Sequence, residues 1–428
     1  MFIDTLKSKK KELFFITLLL IFFYRSPYIF LNGRFMAEEG EIFFANAYKY
    51  SFLYSFFFVD FYSGYLNLWA NISGIISNFF DLEIAPLISN YLSLIPKLLI
   101  IYFVLYENLI ALNNFWNKIL FCLIVFICPQ NVPEIWMNSI NSQIFFCILS
   151  FVLLIINYQH DKIKLVNLGL LLISGLSGIY SCILTPVFFY KYYLFKKSQD
   201  FFNFLIILIC SITQVIIIFY SKFTGSLYAG KIHFINLELI NNFIYNVFLK
   251  SFFGGNLIKY FYFNLETYFY VIILGSFLLF SFFIFFLLSF INDFKSFSAK
   301  SKFFSISLIY CFLSVSIIVM VGGVSNYVGG RYAALPSFYM LLLVLLSISI
   351  LRNNLMRFCL IILLITSNVV GLSEFRPNVL QINKNHHSLK SLDCIGCPNW
   401  EEEVKKFRAD NNYELKIWPY NNKSMNLN

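Results

Sequence analysis

Three carboxylates lie close together near the start of the chain. Glu38, Glu39 and Glu41 follow the first apolar segment, within residues 33–44. The sequence has only 22 Asp and Glu among 428 residues, so a cluster of three is unusual here. Beside a membrane, a carboxylate is costly unless it is solvated, paired or used. The cluster therefore indicates a base that accepts a proton from a hydroxyl, a site for a divalent cation such as Mg²⁺ or Mn²⁺, or a solvated loop that pairs with Arg34.

A fourth acidic residue stands alone among aromatic side chains. Asp60 lies in the run Phe-Phe-Phe-Val-Asp-Phe-Tyr. A polar group in such surroundings needs a hydrogen-bond partner. It is therefore either a second acid of the same site or a residue that caps a helix or turn.

Two polar stretches further along the chain could bind a ligand. Residues 129–141 include Glu134, Trp136, Asn138 and Asn141. Side-chain amides can bind sugar hydroxyls and an indole can stack on a pyranose ring. The same composition also suits an interfacial belt with helix-capping residues.

The second stretch is rich in glycine and carries an arginine. Residues 322–336 contain four Gly together with Tyr327, Arg331 and Tyr332. Backbone N–H groups can approach a ligand closely at glycines, and an arginine at a helix start suits a phosphate. The alternative is a flexible turn with Arg331 among lipid headgroups. The sequence has no Walker or dinucleotide-binding pattern.

The histidines and cysteines do not form a metal-ligand pattern. His233 is isolated, and His386 and His387 have no companions at metal-binding spacing. Cys394 and Cys397 could form a disulfide, half of a metal site or a redox pair. A short-loop disulfide is favoured, because the layout given below places the tail on the outer side of the membrane. The other seven cysteines lie in apolar segments and are expected to be packing residues.

The elements that would hold these residues are transmembrane helices. Hydrophobic residues make up 59% of the chain and charged residues 13%, against roughly 25% charged in soluble proteins. The apolar runs are continuous and not alternating, which favours helices over a barrel. We predict about eleven crossings, near residues 12–30, 84–106, 118–130, 141–157, 163–176, 177–195, 201–220, 266–291, 303–321, 335–351 and 357–372.

The charges predict how these helices are oriented. With the N-terminus in the cytoplasm, the inside segments hold roughly twice as many Lys and Arg as the outside loops. Arg25 and Pro27 in the first apolar segment, without a cleavage pattern, indicate a retained helix and not a signal peptide. The net charge of +10 reflects this asymmetry. We expect no nucleic-acid partner, because no basic stripe with interleaved aromatics is present.

This layout predicts a transmembrane domain at 1–372 and an extracytoplasmic tail at 373–428. The outer loops are 31–83 and 221–265. Within the first loop, residues 52–58 and 62–76 are apolar but short, so we expect helices that lie at the membrane interface. The tail is charged, and one short helix is predicted at 400–409.

The arrangement resembles the GT-C class of membrane glycosyltransferases. Those enzymes place acidic residues in the first large outer loop, where Glu38-Glu39-Gly40-Glu41 lies here, and they take sugar from a polyprenyl-phosphate carrier. The chain also resembles bacterial polytopic proteins with an acidic-Gly loop, a Gly-Arg-Tyr before a late helix and a Trp-containing tail. The Asp-Asp or Asp-Glu pair of the better-known enzymes is absent. We expect Glu39 or Glu38 to act as the base, with Glu41 and Asp60 as further acidic residues of the site.

The resemblance implies a sugar transferase in a bacterial inner membrane. Its partners would be membrane lipid, a polyprenyl-phosphate sugar donor and a glycan, lipid or protein acceptor. Arg331 would stabilise the leaving phosphate, and a divalent metal is possible but not required. The alternatives are a transporter or lipid-linked oligosaccharide flippase, and an O-antigen polymerase or ligase. A transporter should carry charges at the membrane midplane, and the polymerases carry their large outer loop late in the chain.

Overall fold

The fold is built almost entirely from helices. The computed structural model describes residues 2–25, 27–112, 114–127, 135–158, 163–227, 239–240, 243–254, 291, 293–322, 330–375, 399–418 and 423–428. In this part of the chain the extended structure is a small antiparallel sheet and a few isolated bridges. The sheet pairs β1 (Leu415–Lys416) with β2 (Ser424–Met425). The prediction of an all-α protein is confirmed.

Short helices follow the first long one. The elements up to residue 106 are α1 (Phe2–Arg25), α2 (Pro27–Leu31), a π-helix (Glu39–Phe44), α3 (Ala45–Lys49), α4 (Phe52–Phe56), α5 (Leu68–Asn78), α6 (Ala85–Leu92) and α7 (Ile95–Tyr106). Pro96 lies at the start of α7 and lacks the N–H that would continue the helix, so α6 and α7 meet at a break near Ser93.

Longer helices form the rest of the bundle. They are α8 (Phe115–Ile127), α9 (Ser142–Ile155), α10 (Leu165–Leu176), a 3₁₀ turn (Ser181–Leu184), α11 (Thr185–Phe195), α12 (Ser198–Phe223), a π-helix (Ile244–Leu249), α13 (Ala299–Gly322), α14 (Arg331–Ile350), α15 (Asn354–Phe375) and α16 (Trp400–Ala409). Asn399 caps α16 by accepting a hydrogen bond from the Glu401 N–H, as the predicted helix at 400–409 requires.

Five helical segments of the described chain are long and apolar enough to cross a membrane. They are Ala85–Tyr106, Ser198–Phe223, Ala299–Gly322, Arg331–Ile350 and Asn354–Ser373. Each coincides with a predicted crossing, to within a few residues. The protein therefore carries membrane-spanning helices, as predicted.

The other predicted crossings are not decided by length. Helices α8, α9 and α10 are apolar but have only 13, 14 and 12 residues. Helix α11 has 11 residues, whereas a straight crossing needs about 20. The predicted crossing at 266–291 lies outside the described residues, except for Ile291. The count of eleven stays a prediction.

Two helices form the centre of the bundle. Every residue of α9 is buried. In α14, every residue from Ala333 to Ser347 is buried. The most apolar stretches of α12 and α15 are mostly exposed, which is the pattern of helices that face lipid. Residues at the outer ends of α9 and α14 are consequently held by well-packed helices.

The C-terminal tail packs against the first loop. Trp418 donates its N–H to the carbonyl oxygen of Phe35 at 3.0 Å, and Ala37 donates to that of Trp418 at 2.7 Å. A hydrophobic cluster is shared by the two segments and includes Phe35, Phe44, Ala85, Trp400, Val404, Phe407 and Ile417. The tail and the first loop therefore lie on the same side of the membrane.

Candidate functional site

The acidic stretch after the first helix is organised around Glu39. Its Oε1 accepts hydrogen bonds from the Ser89 hydroxyl at 2.8 Å, the Ser139 N–H at 2.9 Å and the Ser139 hydroxyl at 2.7 Å. Its Oε2 accepts one from the Met36 N–H at 3.1 Å. The side chain is 2% exposed. Burial raises the pKa of Glu39, although the four hydrogen bonds oppose that rise. Glu39 thus joins three distant segments of the chain.

Arg34 lies in the contact between the first loop and the tail. Its Nη1 donates to the carbonyl oxygen of Lys416 at 3.1 Å. Its guanidinium carbon lies 5.6 Å from the centre of the Trp400 ring. Its backbone N–H donates to Oδ1 of Asn90, and the Nδ2 of Asn90 donates in turn to the Met137 carbonyl oxygen. The structure therefore places Arg34, a predicted substrate-binding residue, in an internal contact.

Glu38 and Glu41 lie near a lysine of the tail. The Lys423 ammonium is 2.7 Å from Oε2 of Glu41. The hydrogen bond that Lys423 donates to Glu41 raises the pKa of Lys423, and the negative charges of Glu41 and Glu38 add to the rise. Glu38 is half-buried, so it is the more accessible of the two adjacent glutamates. The three acids that stand together in sequence thus have three different surroundings.

Asp60 closes a tight turn in the first loop. Its Oδ1 accepts the Tyr62 N–H at 3.2 Å, and its carbonyl oxygen accepts the Gly64 N–H at 2.9 Å. Gly64 has φ of +77°, a conformation that favours glycine. Asp60 is half-buried. Its structural role is a turn, and its carboxylate remains partly accessible.

Tyr65 lies five residues after Asp60. Charged side chains from two parts of the chain lie within electrostatic reach of it. Its hydroxyl accepts a hydrogen bond from Nε2 of Gln143 at 3.2 Å. Burial raises the pKa of Tyr65, and the charges of Tyr332 and Asp60 add to the rise. The hydrogen bond from Gln143 and the positive charge of Arg331 oppose it. Asp60 in the first loop and Arg331 at the start of α14 therefore both lie within electrostatic reach of one phenol.

Arg331 is held at the N-terminal end of a central helix. It is the first residue of α14, after Gly330 with φ of +57°. Its Nη2 donates to the Tyr332 hydroxyl at 3.3 Å, and its guanidinium carbon lies 5.2 Å from the centre of the Tyr332 ring. Both residues are half-buried. A cation at the start of α14 is unfavourable for the helix dipole, so the position serves something other than helix stability.

The loop segment beside Tyr65 enters the helical bundle. Leu66 donates its N–H to Oε1 of Gln214 and accepts from Nε2 of Gln214, both at 3.0 Å. The Trp69 N–H donates to the Ser177 hydroxyl at 3.0 Å. Gln214 lies nine residues before the end of α12, or roughly 13 Å along its axis. Non-helical backbone at such depth must be satisfied by protein groups, and these two side chains satisfy it.

The described part of the predicted sugar-binding stretch, residues 135–141, is internal. Trp136 is fully buried and its ring stacks on Phe22 at 4.5 Å. Asn138 accepts the Ile140 N–H at 2.8 Å, and both Asn138 and Asn141 are buried. These residues shape the loop that supplies Ser139 to Glu39. Glu134 and Tyr327, the other two predicted binding residues, lie outside the described residues.

Sequence reasoning missed several polar residues inside the bundle. Tyr65, Gln214 and Ser177 lie in stretches where apolar residues alternate with small polar ones. Lys97 is fully buried in α7, where its Nζ donates to the Ser93 carbonyl oxygen at 3.0 Å and lies 4.1 Å from the centre of the Phe145 ring. A lone polar residue inside an apolar run is the signal that could have found Lys97, because such residues are costly in a membrane.

The described residues contain no group of three or more His, Cys, Asp or Glu side chains placed to hold a metal ion. His233, His386, His387, Cys394 and Cys397 fall outside that part of the chain.

Comparison of the chain with protein-family models, with curated proteins and with solved structures gave no match.

Proposed function

We propose that the protein is a membrane glycosyltransferase of GT-C type. It would move a sugar from a polyprenyl-phosphate donor to a hydroxyl of a glycan, lipid or protein, on the side of the membrane that carries the first loop and the tail. The observation that supports this most is that Asp60, which pairs with Tyr65 in an isolated antiparallel bridge, and Arg331 both lie within electrostatic reach of the Tyr65 phenol. A sugar-phosphate donor needs a cation for the leaving phosphate, and its acceptor hydroxyl needs a base nearby.

The four acidic residues differ in burial and in hydrogen bonding, and these differences suggest different roles. The oxygens of Glu39 already accept four hydrogen bonds in a buried position, so Glu39 anchors the loop and does not reach a substrate. Glu41 is engaged by Lys423. Asp60 and Glu38 are half-buried and accessible. In this proposal Asp60 is the base, Arg331 binds the phosphate, and Glu38 lies at the edge of the site.

The decisive experiment is sugar transfer by purified variants in lipid nanodiscs, with polyprenyl-phosphate sugars as donors. Asp60→Asn should lower the rate by roughly 10²–10⁴-fold, the usual contribution of a general base. Asp410→Asn is a matched control. Asp410 also accepts the N–H two residues further on, from Asn412 at 2.9 Å, but it is exposed in the tail. Equal transfer by both variants would refute the role of Asp60.

Arg331 supplies an independent arm of the same test. Arg331→Ala should weaken donor binding and raise the KM for the donor, because it removes a phosphate contact. The KM for the acceptor should change little. A variant that alters only the acceptor KM would contradict the assignment.

The second candidate is a transporter or flippase, and buried charges favour it. Lys97 is fully buried within a spanning segment. Lys191 and Asp200 form an ion pair at 2.8 Å in which both side chains are almost fully buried. Ionisable residues inside a membrane often mark a pathway. Movement of a fluorescent lipid-linked sugar across proteoliposome membranes, unaffected by Asp60→Asn but lost in Lys97→Met, would favour this reading over the transferase.

A further inference from the structure

An aromatic surface projects from the first loop between Gly40 and Gly64. Eight residues form it: Tyr48, Tyr50, Phe52, Leu53, Tyr54, Phe57, Phe61 and Tyr62. Each is between 40% and 67% exposed. A large aromatic side chain has roughly 150–250 Å² of surface, so together they expose on the order of 700 Å². That is more than the largest apolar patch of a typical soluble monomer, about 300–600 Å².

The inner side of this segment is polar, which explains why the aromatic side faces outward. Asn71 of α5 donates its Nδ2 to the carbonyl oxygens of Phe56 and Phe58, at 3.0 and 2.9 Å. Asn78 donates to the Ala47 carbonyl oxygen at 2.9 Å. Backbone oxygens at the ends of α3 and α4 are thereby satisfied from within the protein. A surface that leaves rings outside and turns backbone polar groups inward is suited to an apolar medium.

The aromatic surface continues a surface that already faces lipid. The Phe61 ring lies 5.2 Å from the Tyr220 ring. Tyr220 is 55% exposed near the end of α12, whose most apolar stretch is only 22% buried. Aromatic residues are enriched where spanning helices leave the hydrocarbon. Charged groups are sparse, since Lys49 and Asp60 are the only ones in residues 45–62.

We infer that the aromatic surface is immersed in the bilayer leaflet at the Phe223 end of α12. Helix α4 and its neighbours lie among the acyl chains just below the headgroups. The membrane location itself does not depend on the proposed transferase activity.

The test uses a photo-crosslinking amino acid in the full-length protein. Leu53 and Phe57 are each replaced by p-benzoylphenylalanine, and the protein is reconstituted in phosphatidylethanolamine–phosphatidylglycerol nanodiscs. Phe223, 92% exposed at the end of a spanning helix, is the positive control. Glu402, exposed on α16, is the negative control. Intact-mass spectrometry after illumination measures phospholipid adducts.

Positions 53 and 57 should give phospholipid adducts at a yield similar to position 223, and about tenfold above position 402. A covalent dimer at 53 and 57 without lipid adduct would overturn the inference and make the surface an interface between copies. Yields no higher than at position 402 would overturn it as well, because the rings would then face water.

Discussion

Replacing Glu39 by Gln should destabilise the fold, because it removes a hydrogen-bond acceptor as well as a charge. An amide can accept hydrogen bonds only at its oxygen. If the nitrogen replaces Oε2, it faces the Met36 N–H, and if it replaces Oε1, it faces the Ser139 N–H. In either orientation a donor meets a donor in a buried place. A buried donor left without an acceptor costs about 1–3 kcal/mol, so we expect Glu39→Gln to destabilise the fold by that amount.

A larger change at the same position should cost more. Glu39→Ala leaves four donors without their acceptor and opens a cavity between the first loop, α6 and the Ser139 segment. The expected loss is more than about 4 kcal/mol. We expect this variant to express poorly or to lose the tail contact.

The measurement is the apparent melting temperature of purified protein in detergent, with Glu38→Gln as the matched control. Glu38 is adjacent in sequence but half-buried, so Glu38→Gln should melt within about 1 °C of the parent. Glu39→Gln should melt lower than that control, by roughly 1–3 °C for a chain of this length. A Glu39→Gln variant that melts like the parent but transfers no sugar would refute the anchoring role, because Glu39 would then act in the chemistry.

Further variants test other parts of the structure. Lys191→Met or Asp200→Asn alone should lower the free energy of unfolding by about 3–5 kcal/mol, because each leaves one buried charge unpaired. The double variant Lys191→Met, Asp200→Leu should recover most of the yield of folded protein in size-exclusion chromatography. In the tail, burial raises the pKa of Glu403, but hydrogen bonds from the Lys416 N–H, Tyr413 and Lys406 outweigh it and lower the pKa. The stability that Glu403 contributes is present above its ordinary pKa and is lost as the pH falls through the lowered value. The tail should therefore become sensitive to an acid-active protease below about pH 4, and Glu403→Gln should lack that transition.

The spanning helices were predictable because their signal is local. Twenty apolar residues in a row report one physical fact, that the segment belongs in hydrocarbon. Helix α16 was predictable for a similar reason, since Glu401, Glu402 and Glu403 open it and Lys406 and Arg408 close it. Short helices such as α10 gave a weaker signal. Their length alone does not separate a crossing from a buried core helix.

The candidate site was predictable only in part, because its contacts join residues far apart in sequence. The sequence identified Asp60 and Arg331 as candidates by their residue types. No local pattern showed that both lie within electrostatic reach of Tyr65. Glu38 and Glu39 are the same residue type at neighbouring positions. Glu39 anchors the loop because Ser139, far away in sequence, donates hydrogen bonds to it. Gln214 in α12 binds the backbone of Leu66, and Ser177 just after α10 binds that of Trp69, which no local pattern reveals.

The contact between the tail and the first loop constrains the path of the chain between them. Residues 35–37 and Trp418 exchange backbone hydrogen bonds, so both ends of this path lie on one side of the membrane. The number of crossings between residues 38 and 399 must then be even. The layout predicted from the apolar runs has an even number there, and it places the N-terminus on the opposite side because the first helix precedes the loop. The charge bias assigns that opposite side to the cytoplasm. The hydrogen-bonded contact requires the tail and the first loop to share a side, and the distribution of Lys and Arg proposes that this side is the outer one.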